Sequence, residues 1–90
     1  MDKKKVLVRV TAKDIKEALK TYGQNPSRLC PIARAGQRVL GGNFRCGVNQ
    51  AFYGKLGDEV KIPLPARAIA FVKRFDNKKP VKPFSFYLSV

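Results

Sequence analysis

The fold is decided at the end of the chain, where residues 84–90 read Phe-Ser-Phe-Tyr-Leu-Ser-Val. Apolar and polar side chains alternate there with a period of two, which is typical of a strand with one buried face. Residues 6–10, Val-Leu-Val-Arg-Val, repeat this pattern near the start of the chain. We expect these two terminal strands to be neighbours in one sheet, with Arg9 and Tyr87 on its outer face.

Three segments between the terminal strands have apolar residues at helical spacing. The first, residues 12–22, follows a capping box in which Thr11 stands three residues before Asp14. The second, residues 31–40, starts with a proline and is followed by two glycines, which are typical start and stop signals. The third opens at Pro65, has apolar residues at Ala68, Ile69, Val72 and Phe75, and is expected to stop at Asn77. The sequence therefore predicts three helices.

The stretch between the second and third helices returns to a period of two. Phe44, Cys46 and Val48 are predicted to share one face, and a further strand is expected near Ile62. The resulting order is β-α-α-β-β-(β)-α-β. A chain of 90 residues supports one core, so we predict a single domain over residues 1–90. Its class is α+β, with a single small antiparallel or mixed sheet of four or five strands and three helices.

The composition argues against catalysis and metal binding. The chain has no histidine, so it lacks the usual general base and the commonest metal ligand. Cys30 and Cys46 are too few for a structural zinc site; we expect two reduced thiols, with one disulfide as the alternative. We therefore predict no enzyme, no metal and no cofactor. The charged start and the lack of a long apolar stretch predict a cytoplasmic protein without a membrane segment.

The charge of the chain points to an anionic partner. Lys and Arg number 19 against 6 Asp and Glu, a net charge of +13, which attracts nucleic acid and other polyanions. No acidic residue occurs between Glu17 and Asp58. Arg34 and Arg38 are one helical turn apart on the second helix, and Arg28 lies just before its start, so together they would suit a phosphate. The alternative is that they only form a solvated face. The predicted anion-binding residues are Arg28, Arg34, Arg38 and Arg45.

Two other regions carry a predicted binding role. On the outer face of the terminal strands, the ring of Tyr87 could stack on a base while Arg9 meets the backbone, although an ordinary open sheet would have the same pattern. Lysines also precede both terminal strands, at residues 3–5 and at Lys78, Lys79 and Lys82. They would contact phosphates or only prevent strand edges from pairing with other chains.

Several short motifs resemble small uncharacterised proteins encoded by tailed phages and actinobacteria. They are Val10-Thr11 with Asp14-Ile15, Cys30-Pro31-Ile32-Ala33, Leu64-Pro65, Phe75-Asp76, Pro80-Val81, Pro83-Phe84, Phe86 and Leu88. The resemblance covers about three quarters of the chain and implies a viral or mobile-element origin and a compact α+β fold. It supplies no activity and no site residues. The charge of +13 departs from relatives that are acidic or near neutral.

The sequence thus predicts a small basic phage or mobile-element protein that binds nucleic acid mainly through phosphates. Weak sequence preference and steep salt dependence would follow. The alternative is a viral inhibitor of a host defence system, which either docks on a nucleic-acid-binding protein or sequesters signalling nucleotides. A structural virion protein ranks after these. The choice among DNA, RNA and a host protein stays open, as does a homo-oligomer.

Overall fold

The computed structural model describes residues 5–55 and 57–89. The class is α+β, as predicted. The elements are β1 (Lys5–Val10), α1 (Ala12–Lys20), α2 (Pro26–Leu29), α3 (Pro31–Leu40), β2 (Arg45–Cys46), β3 (Gln50–Tyr53), β4 (Val60–Pro63), α4 (Ala66–Asp76) and β5 (Phe84–Ser89). Lys3, Lys4 and Val90, which the sequence analysis included in predicted features, lie outside the described residues.

The terminal strands β1 and β5 pair antiparallel, which confirms that they are neighbours. Their register places Val8 opposite Phe86 on the buried face and Leu7 opposite Tyr87 on the outer face. The strands β2, β3 and β4 form a second antiparallel sheet, so the described strands make two small sheets instead of the single predicted one. Pro63 at the end of β4 has no N–H to donate, which suits a strand at the edge of a sheet.

The helix α3 packs against both α1 and β1 and forms the centre of the fold. Ile32, Ala33 and Ala35 on this helix are fully buried. Gly36 leaves a gap on the same helix that the ring of Phe44 fills. Small side chains therefore allow the first residues after α3 to pack closely against the helix. The largest fully buried side chains are Phe44, Ile32, Ile62, Leu88, Val8, Val10 and Pro31.

Two helix boundaries differ from the sequence prediction. The first helix ends at Lys20, and Thr21 caps it with an N–H that reaches the carbonyls of the preceding turn. The predicted turn before the second helix contains a one-turn helix, α2, which raises the number of helices in the described residues to four. Proline fits the first position of a helix, and Pro26 begins α2 in this way after Asn25, whose φ is 37°.

The strand predicted through Phe44, Cys46 and Val48 is shorter than expected. It covers only Arg45–Cys46, and Val48 is 58% exposed instead of sharing the buried face. The chain turns directly after β2, where the N–H of Gly47 donates to the carbonyl of Gln50 at 2.7 Å. This turn takes Val48 out of the ladder before a longer strand can form.

Gly36→Ala is expected to destabilise the protein although alanine is the better helix former. A Cβ at this position would overlap the ring of Phe44, which is fully buried and cannot move into solvent. Overpacking should outweigh the gain in helix propensity, for a net loss of about 1–2 kcal/mol in the free energy of unfolding. Urea denaturation followed by circular dichroism measures this loss. Gly42→Ala is the control, because a Cβ there meets open space; equal effects of the two substitutions would contradict the close contact.

Candidate functional site

Arg34 and Arg38 share one face of α3, but this face is turned towards α1. The guanidinium of Arg38 donates to both carboxylate oxygens of Asp14, at 2.9 and 2.7 Å, and to the carbonyl of Arg9 at 2.9 Å. Arg34 Nε donates to the carbonyl of Leu29 at 2.9 Å. These contacts correct the prediction that both arginines project towards a phosphate, because both guanidinium groups bind within the protein.

The two arginines hold opposite ends of α1. Arg38 contacts the first turn of α1 through Asp14. Arg34 Nη2 donates to Thr21 Oγ1, in the C-terminal cap of α1, at 3.0 Å. Asp14 also completes the predicted capping box, because it accepts the N–H of Thr11 at 2.9 Å. One carboxylate therefore ties the start of α1 both to its own cap and to α3.

The other two predicted arginines lie apart from this pair. Arg45 forms an ion pair with Glu59 and lies with its guanidinium carbon 5.8 Å from the centre of the Phe52 ring, and its side chain is only 18% exposed. Arg28 is exposed and donates to the carbonyl of Gly42 at 3.3 Å. The structure therefore does not bring these four arginines together on one open surface. Arg38 and Arg45 pair with carboxylates, Arg34 lies between α1 and α3, and Arg28 remains exposed.

Groups of the protein itself also occupy the predicted phosphate position at the start of α3. Cys30 caps this helix, and its sulfur accepts the N–H of Ala33 at 3.4 Å. Pro31, Ile32 and Ala33 in the first turn are buried. The first turn consequently presents no open set of backbone donors to an anion.

A different set of cations lies exposed along α4 and the segment that leads into β5. We call this set the basic rim and define it as Arg67, Arg74, Lys78, Lys79 and Lys82, all of which are exposed. Two backbone carbonyls orient its arginines. Arg74 donates to the carbonyl of Pro80 through Nε at 3.1 Å and Nη2 at 2.9 Å, and Arg67 donates to the carbonyl of Ser85 at 3.2 Å.

The basic rim keeps its positive charge. Within the described residues, ion pairs form at Lys20, Arg38 and Arg45, and none involves a rim side chain. A carbonyl fixes the position of a guanidinium but does not neutralise it, so the remaining N–H groups can still meet an anion. Asp76 is the only acidic residue between residues 66 and 82, and burial raises its pKa. The local charge is therefore strongly positive.

Two open apolar grooves border the basic rim, with volumes of about 500 and 430 Å³. The larger is lined by Ile15, Leu19, Tyr22, Phe75, Lys78, Lys79, Pro80 and Val81. The smaller is lined by Arg67, Ala70, Phe71, Arg74, Pro80, Val81, Lys82 and Phe84. Pro80 and Val81 belong to both linings and so separate the grooves. Lys78 Nζ lies 5.3 Å from the centre of the Tyr22 ring, which places a cation over an aromatic face at the edge of the larger groove.

Comparison with protein-family models, curated proteins and solved structures finds no significant match for this chain. The resemblance to phage and actinobacterial proteins stays a prediction.

The predicted site residues are divided between these surfaces. Lys78 and Lys79 belong to the basic rim, as part of the lysine group before the last strand. Arg9 and Tyr87 lie on the outer face of β1 and β5, where Tyr87 is 60% exposed. Arg9 pairs with Ser85, the residue whose carbonyl binds Arg67, so this outer face adjoins the rim. Arg67 and Arg74 are not among the predicted binding residues.

Other site types find no support in residues 5–55 and 57–89. No three Cys, Asp or Glu side chains in these ranges lie together as a metal site would require. Nor is any helix there long and apolar enough to cross a membrane.

Proposed function

We propose that this protein binds nucleic acid through phosphate contacts along the basic rim. The observation that carries the proposal is the set of five exposed cations, none of which forms an ion pair within the described residues. The net charge of +13 supports attraction over a longer range. Binding of this kind releases counterions, so affinity should fall steeply as salt rises.

The two grooves favour single-stranded over duplex nucleic acid. Each groove combines an apolar floor with cations at its border, and Tyr22 lines the larger one. An unstacked base can occupy such a groove while its phosphates meet Lys78 and Lys79. In a duplex the bases are stacked inside and cannot enter. Few polar side chains line the grooves, so we expect weak sequence preference.

The first test is fluorescence anisotropy with labelled single-stranded DNA, single-stranded RNA and duplex DNA. We expect binding at about 50 mM salt, tighter for single strands, and a linear decrease of log K with log salt concentration. The slope should be about 0.7 per phosphate contacted on a single strand and about 0.9 on a duplex. No binding of any of the three at about 50 mM salt would overturn the proposal.

Paired lysine substitutions locate the binding surface. Lys79→Gln with Lys82→Gln removes two rim charges, and Lys55→Gln with Lys61→Gln removes two exposed charges from the β3–β4 hairpin. Both variants have the same net charge. We expect the rim variant to reduce the salt slope on single strands by about 1.4, because each lysine contacts one phosphate, and the hairpin variant to leave it nearly unchanged. Equal reductions would show that net charge alone drives binding and would contradict the rim.

A further inference from the structure

The fold brings together two thiols that are far apart in the sequence. Cys30 caps the start of α3, and Cys46 lies in β2. Both line one cavity of about 250 Å³, together with Val72 and Asp76. Cys46 is 4% exposed, whereas Cys30 is half-buried. The pair therefore consists of one thiol near the surface and one behind it.

The two thiols have opposite surroundings. Cys30 Sγ accepts the N–H of Ala33 at 3.4 Å at the positive end of α3. Interaction with Cys46, aided by backbone N–H groups, lowers the pKa of Cys30. The same interaction, together with burial, raises the pKa of Cys46. Thiolate character is thus concentrated on Cys30, as an attacking thiol requires.

Cys30 is also accessible from a second side. It borders another cavity, of about 240 Å³, that Tyr22, Leu29 and Phe75 line and that does not include Cys46. Asp76 borders both cavities and is the carboxylate that faces the two sulfurs. A small molecule can therefore approach Cys30 without first meeting Cys46.

We propose that Cys30 and Cys46 form a redox-active dithiol that reacts with small disulfides. The thiolate of Cys30 attacks the disulfide R–S–S–R, which forms a Cys30–S–R bond and releases one R–S⁻; this product takes up a proton. Cys46 then attacks the Cys30 sulfur, forms the Cys30–Cys46 disulfide and releases the second R–S⁻, which receives the proton of Cys46. One disulfide is reduced to two thiols, and the two protein thiols are oxidised to one disulfide. This chemistry is independent of nucleic-acid binding.

The neighbouring positions of the sulfurs make the second step geometrically accessible. A disulfide needs a sulfur–sulfur distance near 2.05 Å. Both thiols line the same cavity, which gives their side chains room to rotate towards each other. The Cys46 thiol donates to the carbonyl of Gly47 at 3.2 Å, in the turn that follows β2. Attack by Cys46 on the Cys30 sulfur should therefore be faster than attack by a free thiol on the Cys30–S–R bond.

The test is incubation of the reduced protein with oxidised glutathione, followed by mass spectrometry and peptide mapping without reduction. We expect loss of both free thiols, a Cys30–Cys46 crosslink and no lasting glutathione adduct. Cys46→Ala should instead accumulate a mixed disulfide at Cys30. Cys30→Ser, which keeps a helix-capping side chain, should leave Cys46 largely unreacted.

Three results would overturn the proposal. They are no reaction of the wild type with oxidised glutathione, a stable glutathione adduct without the crosslink, or equal amounts of glutathione adduct on Cys46→Ala and Cys30→Ser. Circular dichroism checks that each variant folds. If Cys46→Ala does not fold, the crosslink map of the wild type decides alone, because it needs no substitution.

Discussion

Replacing Phe44 by alanine is expected to lower the free energy of unfolding by about 3–5 kcal/mol, a large share of the total for a small domain. Phe44 is fully buried, and its ring lies against Gly36 of α3. Its backbone is fixed on both sides, because its N–H donates to the carbonyl of Gly41 at 3.2 Å and its carbonyl accepts from Gln37 Nε2 at 3.2 Å. The surrounding chain therefore cannot collapse into the cavity that alanine would leave.

Urea denaturation followed by circular dichroism measures this loss. Val60→Ala is the matched control, since it also removes apolar atoms, but from a side chain that is 57% exposed. Its effect should stay within about 0.5 kcal/mol. A loss below about 1 kcal/mol for Phe44→Ala would mean that this ring does not fix β2 against α3.

The sequence predicted best those elements whose signals are local. The boundaries of α3 follow from a proline at its first position and a glycine after its last, and the structure has Pro31–Leu40 with Gly41 at φ 96°. The strands β1 and β5 follow from alternation over residues 6–10 and 84–90. The division into two sheets could not be predicted in the same way. It depends on whether β4 pairs with β5, a contact between distant segments that no local pattern encodes.

The arginine face of α3 shows a similar limit. Helical spacing correctly put Arg34 and Arg38 on one side, but spacing does not determine whether that side meets solvent or another helix. The partner of Arg38 is Asp14, 24 residues earlier. The absence of acidic residues from the middle of the chain therefore did not leave Arg38 and Arg45 unpaired, since Asp14 and Glu59 reach them from outside that segment.

A signal for the basic rim was present in the sequence. Residues 66–82 contain six basic residues and one acidic residue, although the acid-free stretch before Asp58 is longer. The cysteine pair had no such signal, because a separation of sixteen residues does not indicate contact. Only the packing of β2 beside the start of α3 brings Cys30 and Cys46 together.

Arginines and lysines have different roles in this fold. Arginines supply most of the internal contacts, since a planar guanidinium can bind a carboxylate and several carbonyls at once. The lysines of the rim have no such role in the described residues and remain exposed. Substituting Arg34 or Arg38 would therefore confuse loss of folding with loss of binding. Lys79 and Lys82 can test binding while the contacts between helices stay intact.

The carboxylate of Asp14 should be the most important single charge for stability. It is 7% exposed, accepts two hydrogen bonds from Arg38 and closes the capping box with Thr11. Asp14→Asn keeps the shape but removes the charge and one acceptor. We expect a loss of about 2–4 kcal/mol in the free energy of unfolding, from the weakened cap and the lost charge-assisted hydrogen bonds. Glu17→Gln is the control, because the 3.5 Å ion pair of Glu17 with Lys20 is exposed and contributes little.

The pH dependence of this difference identifies the charge as its cause. Burial alone would raise the pKa of Asp14, but hydrogen bonds from Arg38 and Thr11 outweigh burial and hold the pKa below its usual 3.8. The folded state thus binds this proton less readily than the unfolded state does. The stabilisation is complete above the unfolded pKa and is lost as pH falls through the folded pKa.

The difference in stability between the wild type and Asp14→Asn should therefore be constant from about pH 7 to pH 5. Below the unfolded pKa it should shrink by up to about 1.4 kcal/mol per pH unit. The other carboxylates titrate in both proteins, so subtracting the two urea-denaturation series isolates Asp14. A difference that stays the same down to about pH 2.5 would show that the oxygen atoms of Asp14 stabilise the cap without their charge, and that Arg38 gains nothing from the ion pair.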